Sequence, residues 1–115
     1  LSDVTIPDTV TQIGDYAFNL CIRLQNLNIP DGVTVIGPGA FSRCIELTAV
    51  GLPKTLTVIG DYAFSGCHAL AYITIPNGVT SIGDYAFNPI VRNLPDEAIT
   101  VVEGSVAAKH IAQFR

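Results

Sequence analysis

Three cysteines stand at equal intervals, Cys21, Cys44 and Cys67, each 23 residues from the next. Thiols carry the most versatile chemistry in this chain, since thiolates ligate metals and paired thiols exchange electrons. Neither use fits the spacing. Structural zinc sites draw ligands from tight Cys-x-x-Cys turns, and none occurs here. An odd number of cysteines cannot all pair within one chain. Free cysteine is also a good small core residue. The column therefore reads as stacked core thiols, with Cys44 buried and unpaired.

The other reactive groups are equally dispersed. Asp15, Asp61 and Asp84 share a second column, interrupted by Pro38. They lack the paired acids and glycine loop of a calcium motif and read as N-caps of short helical turns. Gly37-Pro38-Gly39 lacks the third glycine and the Lys-Ser/Thr of a phosphate loop. His68 and His110 have no Ser or Cys nucleophile in a recognisable motif. His68 shares its column with Ile22, Ile45 and Val91 and reads as a partly buried spacer. Tyr16, Tyr62 and Tyr85 share a column that Gly39 interrupts, and a repeated Tyr packs its ring on the next copy. Arg23 and Glu46 occupy one position in adjacent copies, placed to pair. No catalytic residue, cofactor site or metal site is assigned, and the chain reads as a non-enzyme.

These columns exist because the chain repeats. The segments VTQIGDYAF, VTVIGPGAF, LTVIGDYAF and VTSIGDYAF begin at Val10, Val33, Leu56 and Val79. Aligned on that period, the copies are residues 1–23, 24–46, 47–69 and 70–92. Seven positions are identical in all four: Leu at 1, Pro at 7, Thr at 11, Ile at 13, Gly at 14, Ala at 17 and Phe at 18. Positions 4 and 6 are apolar and alternate with smaller or polar residues, the period of a half-buried strand. Proline at 7 must end that strand, because it cannot donate to a ladder. Glycine at 14 marks a corner that needs positive φ or close backbone approach. Positions 1, 4, 6, 10, 13, 18 and 21 then point inward. One copy cannot cover that much apolar surface, but stacked copies can.

The bulk composition agrees with a packed solenoid. Of 115 residues, 49% are hydrophobic and 14% charged, so a core forms and disorder is excluded. The net charge is −4 and the six basic residues are scattered, which excludes a nucleic-acid partner. No apolar run approaches the length of about 18 residues that would span a membrane. The chain begins at Leu1 in mid-pattern, without initiator Met or signal peptide, and reads as a segment of a longer protein.

The full pattern, Leu-x-x-Ile-x-Ile-Pro-x-x-Val-Thr-x-Ile-Gly-x-x-Ala-Phe-x-x-Cys, resembles the BspA-like (treponemal-type) leucine-rich repeat family over residues 1–92. Ile90 departs from it by replacing the fourth Cys. The resemblance implies a β-solenoid of leucine-rich-repeat type. This is a right-handed α/β-type superhelix with one short strand per repeat and 3-10 or helical turns between strands. It also implies a bacterial surface or secreted protein, and adhesion for some members. Residues 93–115 break the pattern and read as a C-terminal cap, with a strand at 98–102 and an amphipathic helix at 105–114.

Side chains at strand positions 3 and 5 must face away from the core. They give the candidate binding face: Asp3, Thr5, Asn26, Asn28, Tyr72 and Thr74, with Ala49 and Gly51 leaving the third copy nearly bare. That bare rung would let a partner approach the backbone beside Tyr72. The function expected is a non-enzymatic protein-binding or adhesion module, extracellular or at the cell surface, whose partner is a host or other cell-surface protein. The alternatives are a structural spacer with no ligand and an accessory carbohydrate-binding unit using exposed Tyr. The uncapped N-terminal copy also invites end-to-end self-association.

Overall fold

The computed structural model describes residues 4–70 and 73–87, together with the backbone of 99–100. The copies stack as rungs joined by parallel ladders. β1 (Gln12–Ile13), β3 (Val35–Ile36), β5 (Val58–Ile59) and β7 (Ser81–Ile82) form one four-stranded sheet. Its register advances by one repeat per rung, with Ile13 beside Ile36 and Ile36 beside Ile59. β2 (Asn26–Asn28) pairs with β4 (Ala49–Gly51), and β6 (Ile73–Thr74) pairs with β8 (Ile99–Thr100), all parallel. The solenoid expected from the repeat is therefore present.

Each of the rungs two to four carries two strand segments, one more than expected. The additional ladder comes from positions 12 and 13, where two residues are too few to display a strand period. β8 falls inside the strand expected at 98–102, with Ile73 beside Ile99 instead of the residue 23 positions on. The rest of the expected cap, including the helix at 105–114, lies outside the described residues.

The strand face alternates as its period requires. Leu27, Ile29, Ile73 and Ile75 are buried, while Asn26, Asn28 and Thr74 are exposed. Each proline then accepts the amide of the residue three places on, as in Val33 N–H to Pro30 O at 3.3 Å and Leu56 N–H to Pro53 O at 3.1 Å. The turn reverses the chain toward the second ladder. Along that ladder Thr11, Thr34, Thr57 and Thr80 form a column. The amides of Thr34, Thr57 and Thr80 each donate to the Thr carbonyl of the preceding rung at 2.9 Å, and the hydroxyl of Thr57 adds a second bond at 3.0 Å.

No helix occurs among the described residues between positions 14 and 21, where helical turns were expected. The backbone is a run of tight turns instead. Tyr16, Tyr62 and Tyr85 have φ of 56, 60 and 59°, and Leu20 and Arg43 have 64 and 61°. A left-handed residue every fourth position prevents a right-handed helix from propagating. It also directs alternate amides to different partners. Ala17, Asn19 and Cys21 donate within their own rung, whereas Tyr16, Phe18 and Leu20 donate to carbonyls of the next.

The core is a column of rings. Phe18, Phe41, Phe64 and Phe87 stack with centroids 5.3, 5.3 and 5.5 Å apart and interplanar angles of 3, 11 and 1°. Phe41 and Phe64 are fully buried. Ala40 and Ala63 beside them are also fully buried, so their small side chains permit that spacing.

Candidate binding faces

Thr5, Asn26, Asn28 and Thr74 are exposed on the strand face, as position in the strand requires. Asp3 and Tyr72 lie outside the described residues. A shallow groove of about 420 Å³ crosses the first two rungs, with Thr5, Asp8, Asn26 and Asn28 as its polar lining and Val4 and Leu27 between them. The third rung is not open in the way its sequence suggests. A Cβ on Gly51 would lie 2.6 Å from Asn28 Oδ1, so the Asn28 amide already covers that glycine. The long Asn side chain reaches across one strand spacing and occupies the space the small residue leaves.

The turn face differs in character. Tyr16, Tyr62 and Tyr85 are 58, 47 and 49% exposed. Tyr62 and Tyr85 stack on each other at 5.4 Å with a 23° tilt. At Gly39 the column has no ring, and the Tyr16 ring leans over the glycine, where a Cβ would collide with its Cε1 and Cδ1. A second groove, of about 320 Å³, runs between Tyr16 and Tyr62 and is lined also by Asn19, Leu20, Ser42 and Arg43. Composition gave no sign of this groove; the one signal in the sequence was the single glycine in a tyrosine column.

The carboxylate of one aspartate joins rungs, and none caps a turn among the described residues. Asp61 Oδ1 accepts the Asp84 amide one rung on at 2.8 Å. Pro38 has no N–H to repeat that bond against Asp15. No column glycine has positive φ, and at Gly37, Gly60 and Gly83 close approach explains the glycine, whereas Gly14 has open space. A Cβ on Gly37 would meet the Asp15 nitrogen at 2.9 Å, and one on Gly60 would meet the Pro38 nitrogen at 2.5 Å.

Cys44 and Cys67 are fully buried and all three thiols are free. They are not merely apolar fillers. Cys44 Sγ donates to the Phe18 carbonyl at 3.2 Å, and Cys67 Sγ to the Phe41 carbonyl at 3.1 Å. Burial raises the pKa of Cys21. The neighbouring Cys44 thiol, with burial behind it, pushes the pKa of Cys67 far up. His68 is exposed, because its column points outward, as the exposed Ile22 and Ile45 also show. Arg23 and Glu46 line a common groove but form no ion pair among the described residues. Among those residues no group of three His, Cys, Asp or Glu side chains is placed to hold a metal ion.

Comparison with known proteins gives the repeat a family context. Residues 1–98 match the BspA-type leucine-rich repeat region. A leucine-rich cell surface protein from Faecalibacterium prausnitzii A2-165 superposes with a TM-score of 0.76 at 28% identity, over 96% of this chain and 34% of that one. A leucine-rich repeat protein from Bacteroides ovatus ATCC 8483 gives 0.57 at 36% identity, over 68% and 26%. The leucine-rich repeat protein of T. pallidum gives 0.57 at 28% identity, over 68% and 47%. The chain thus spans less than half the length of each of these relatives. No curated protein sequence matches it.

Proposed function

The chain belongs to the BspA-type leucine-rich repeat family, and from that premise we propose that it is a non-enzymatic, protein-binding segment of a bacterial cell-surface protein. It engages its partner through the outward side of the strand ladder. One observation carries this reading. Thr5, Asn26, Asn28 and Thr74 stand exposed on a backbone fixed by the rungs beneath them, and the columns they belong to change chemical type from rung to rung while the inward columns stay apolar. A rigid ladder with a changing outer row holds side chains in preset positions, which lowers the entropic cost of recognition. Asp3 and Tyr72 extend the same row by strand position. Tyrosine is a residue type enriched at binding hot spots.

The surface location is supported by the Faecalibacterium relative, which is a cell surface protein. The non-enzymatic reading is supported by the thiols, since the two inner ones are sealed in the core. The test is binding of the purified chain to a panel of host extracellular proteins and of surface proteins from neighbouring bacteria. At least one should bind. A combined Asn26→Ala, Asn28→Ala, Tyr72→Ala variant should bind it at least about tenfold more weakly, a loss of about 1.4 kcal/mol, with an unchanged melting temperature. Equal affinity would remove the strand face from consideration. Failure of every protein to bind would favour the spacer reading.

A further inference from the structure

Asn77 is the one asparagine in the chain followed by glycine; Asn19, Asn26, Asn28, Asn88 and Asn93 precede Leu, Leu, Ile, Pro and Leu. A branched side chain shields the backbone nitrogen of its own residue, and proline has no N–H. Glycine leaves its nitrogen open to attack a neighbouring carbonyl carbon. Asn77 and Gly78 are both exposed, in the turn that follows the fourth-rung strand.

The second rung carries the same turn with an acid in place of the amide. Pro30-Asp31-Gly32-Val33 and Pro76-Asn77-Gly78-Val79 each close with the Val amide on the Pro carbonyl, at 3.3 and 3.2 Å. They differ in what holds the glycine. The Gly32 amide donates to Thr55 Oγ1 at 3.0 Å, and that hydroxyl donates to the Val33 carbonyl at 2.8 Å. The Gly78 amide has no partner among the described residues. A hydrogen bond holds an amide proton and fixes the nitrogen in place, so Gly32 is restrained where Gly78 is free.

We infer that Asn77-Gly78 is a site of spontaneous covalent modification, at which the Asn77 side-chain amide converts to a carboxylate in the folded protein. Hydroxide removes the Gly78 amide proton, and the nitrogen attacks Asn77 Cγ. The new N–Cγ bond closes a five-membered succinimide, the Cγ–Nδ2 bond breaks, and ammonia leaves with a proton from water. Water then opens the ring. Cleavage of N–Cγ gives Asp, and cleavage of the bond to the backbone carbonyl carbon gives isoaspartate, whose chain runs through Cβ and Cγ. The net reaction consumes one water and needs no oxidant or cofactor. Its product has a place in the repeat: position 8 is already Asp8 and Asp31 in the first two rungs, and Asp8 lines the groove on the strand face. Conversion therefore adds a negative charge to that row, on the rung of Thr74. The chemistry depends on the turn alone, and it stands whether or not the strand face binds a partner.

The test is incubation of the full folded chain at neutral and mildly alkaline pH. Peptide mapping by mass spectrometry and enzymatic methylation of isoaspartate are the readouts. Asn77 should be the first asparagine to convert, and faster as pH rises. Its rate should lie within about tenfold of that in the guanidinium-unfolded chain, since an exposed turn opens at little cost. An Asp31→Asn variant places the same dipeptide in rung two, where the glycine amide is tied. That position should convert about tenfold more slowly than Asn77 in the same molecule. Adding Thr55→Ala should close the gap, with an unchanged rate at Asn77 as the control for folding. The inference is overturned if Asn77 stays intact in the folded chain while the unfolded chain converts, or if another asparagine reacts first. Equal rates at positions 31 and 77 in Asp31→Asn would overturn the role given to the free Gly78 amide.

Discussion

Rung one and the two rungs that follow hold the same residue types in their core columns, yet these are not equally buried. Phe18 is half-buried where Phe41 and Phe64 are fully buried, and Ala17 is exposed where Ala40 and Ala63 are sealed. Val10 and Cys21 are half-buried where Val33 and Cys44 have no exposure. Chemistry is constant across each comparison and only the neighbour changes. Burial here belongs to the contact between rungs more than to the rung itself, which is the nearest-neighbour behaviour of a linear repeat.

The ring column gives the sharpest way to break that view. Phe41→Ala or Phe64→Ala should destabilise the chain by about 3–5 kcal/mol, and Phe18→Ala by clearly less, as read from urea unfolding. Equal losses at Phe18 and Phe41 would refute the comparison. The glycine column gives the next largest contrast. Gly60→Ala drives a methyl against the backbone of Pro38 and Gly37 and should cost about 1–3 kcal/mol. Gly14 has nothing within 4 Å of its Cβ direction and no positive φ. Gly14→Ala should therefore be neutral or stabilise by about 0.4–1 kcal/mol through the unfolded state, and a matched loss at both sites would contradict this.

The thiols refine the comparison further. Cys44→Ala removes a buried S–H to carbonyl bond along with packing, and should cost about 1–3 kcal/mol; Cys21→Ala should cost less. In the native chain a thiol reagent should label Cys21 first and reach Cys44 and Cys67 on unfolding. Prompt labelling of Cys44 would show that the stack opens readily. The smallest effect belongs to the threonines. Thr57→Val removes an exposed bond to the Thr34 carbonyl and should lower stability by about 0.5 kcal/mol. Thr11→Val, whose hydroxyl has no partner among the described residues, should change the melting temperature less.

The inward columns could be read from the sequence because each is sampled four times. Pro30, Leu27 and Phe41 need only their period to be placed. The outward strand residues followed for the same reason, through the alternation of Asn26, Leu27, Asn28 and Ile29. Features set by backbone conformation or by packing between rungs stayed hidden. The left-handed turns rest on Tyr16, Leu20 and Arg43, residue types that do not announce positive φ, so helical caps were expected in their place. Gly51 and Gly39 looked like gaps, but Asn28 and Tyr16 reach into them from the rung before. Which side chain fills a neighbour's space depends on packing between rungs, and a single rung's sequence does not encode it. The Cys44 bond to the Phe18 carbonyl was hidden too, since its acceptor is a backbone atom contributed by another repeat.

The division of amides at positions 16 to 21 sets a clock for the fraying of this chain. Amides of Ala63, Ser65 and Cys67 are held by carbonyls of their own rung, and those of Tyr62 and Phe64 by carbonyls of the rung that follows. When the following rung peels away, Tyr62 and Phe64 lose their protection from solvent deuterium while Ala63, Ser65 and Cys67 keep theirs. Neighbouring amides in one turn would then exchange at alternating rates. The order in which successive turns acquire that alternation would record the end from which the stack unzips, and how far each opening travels before it closes.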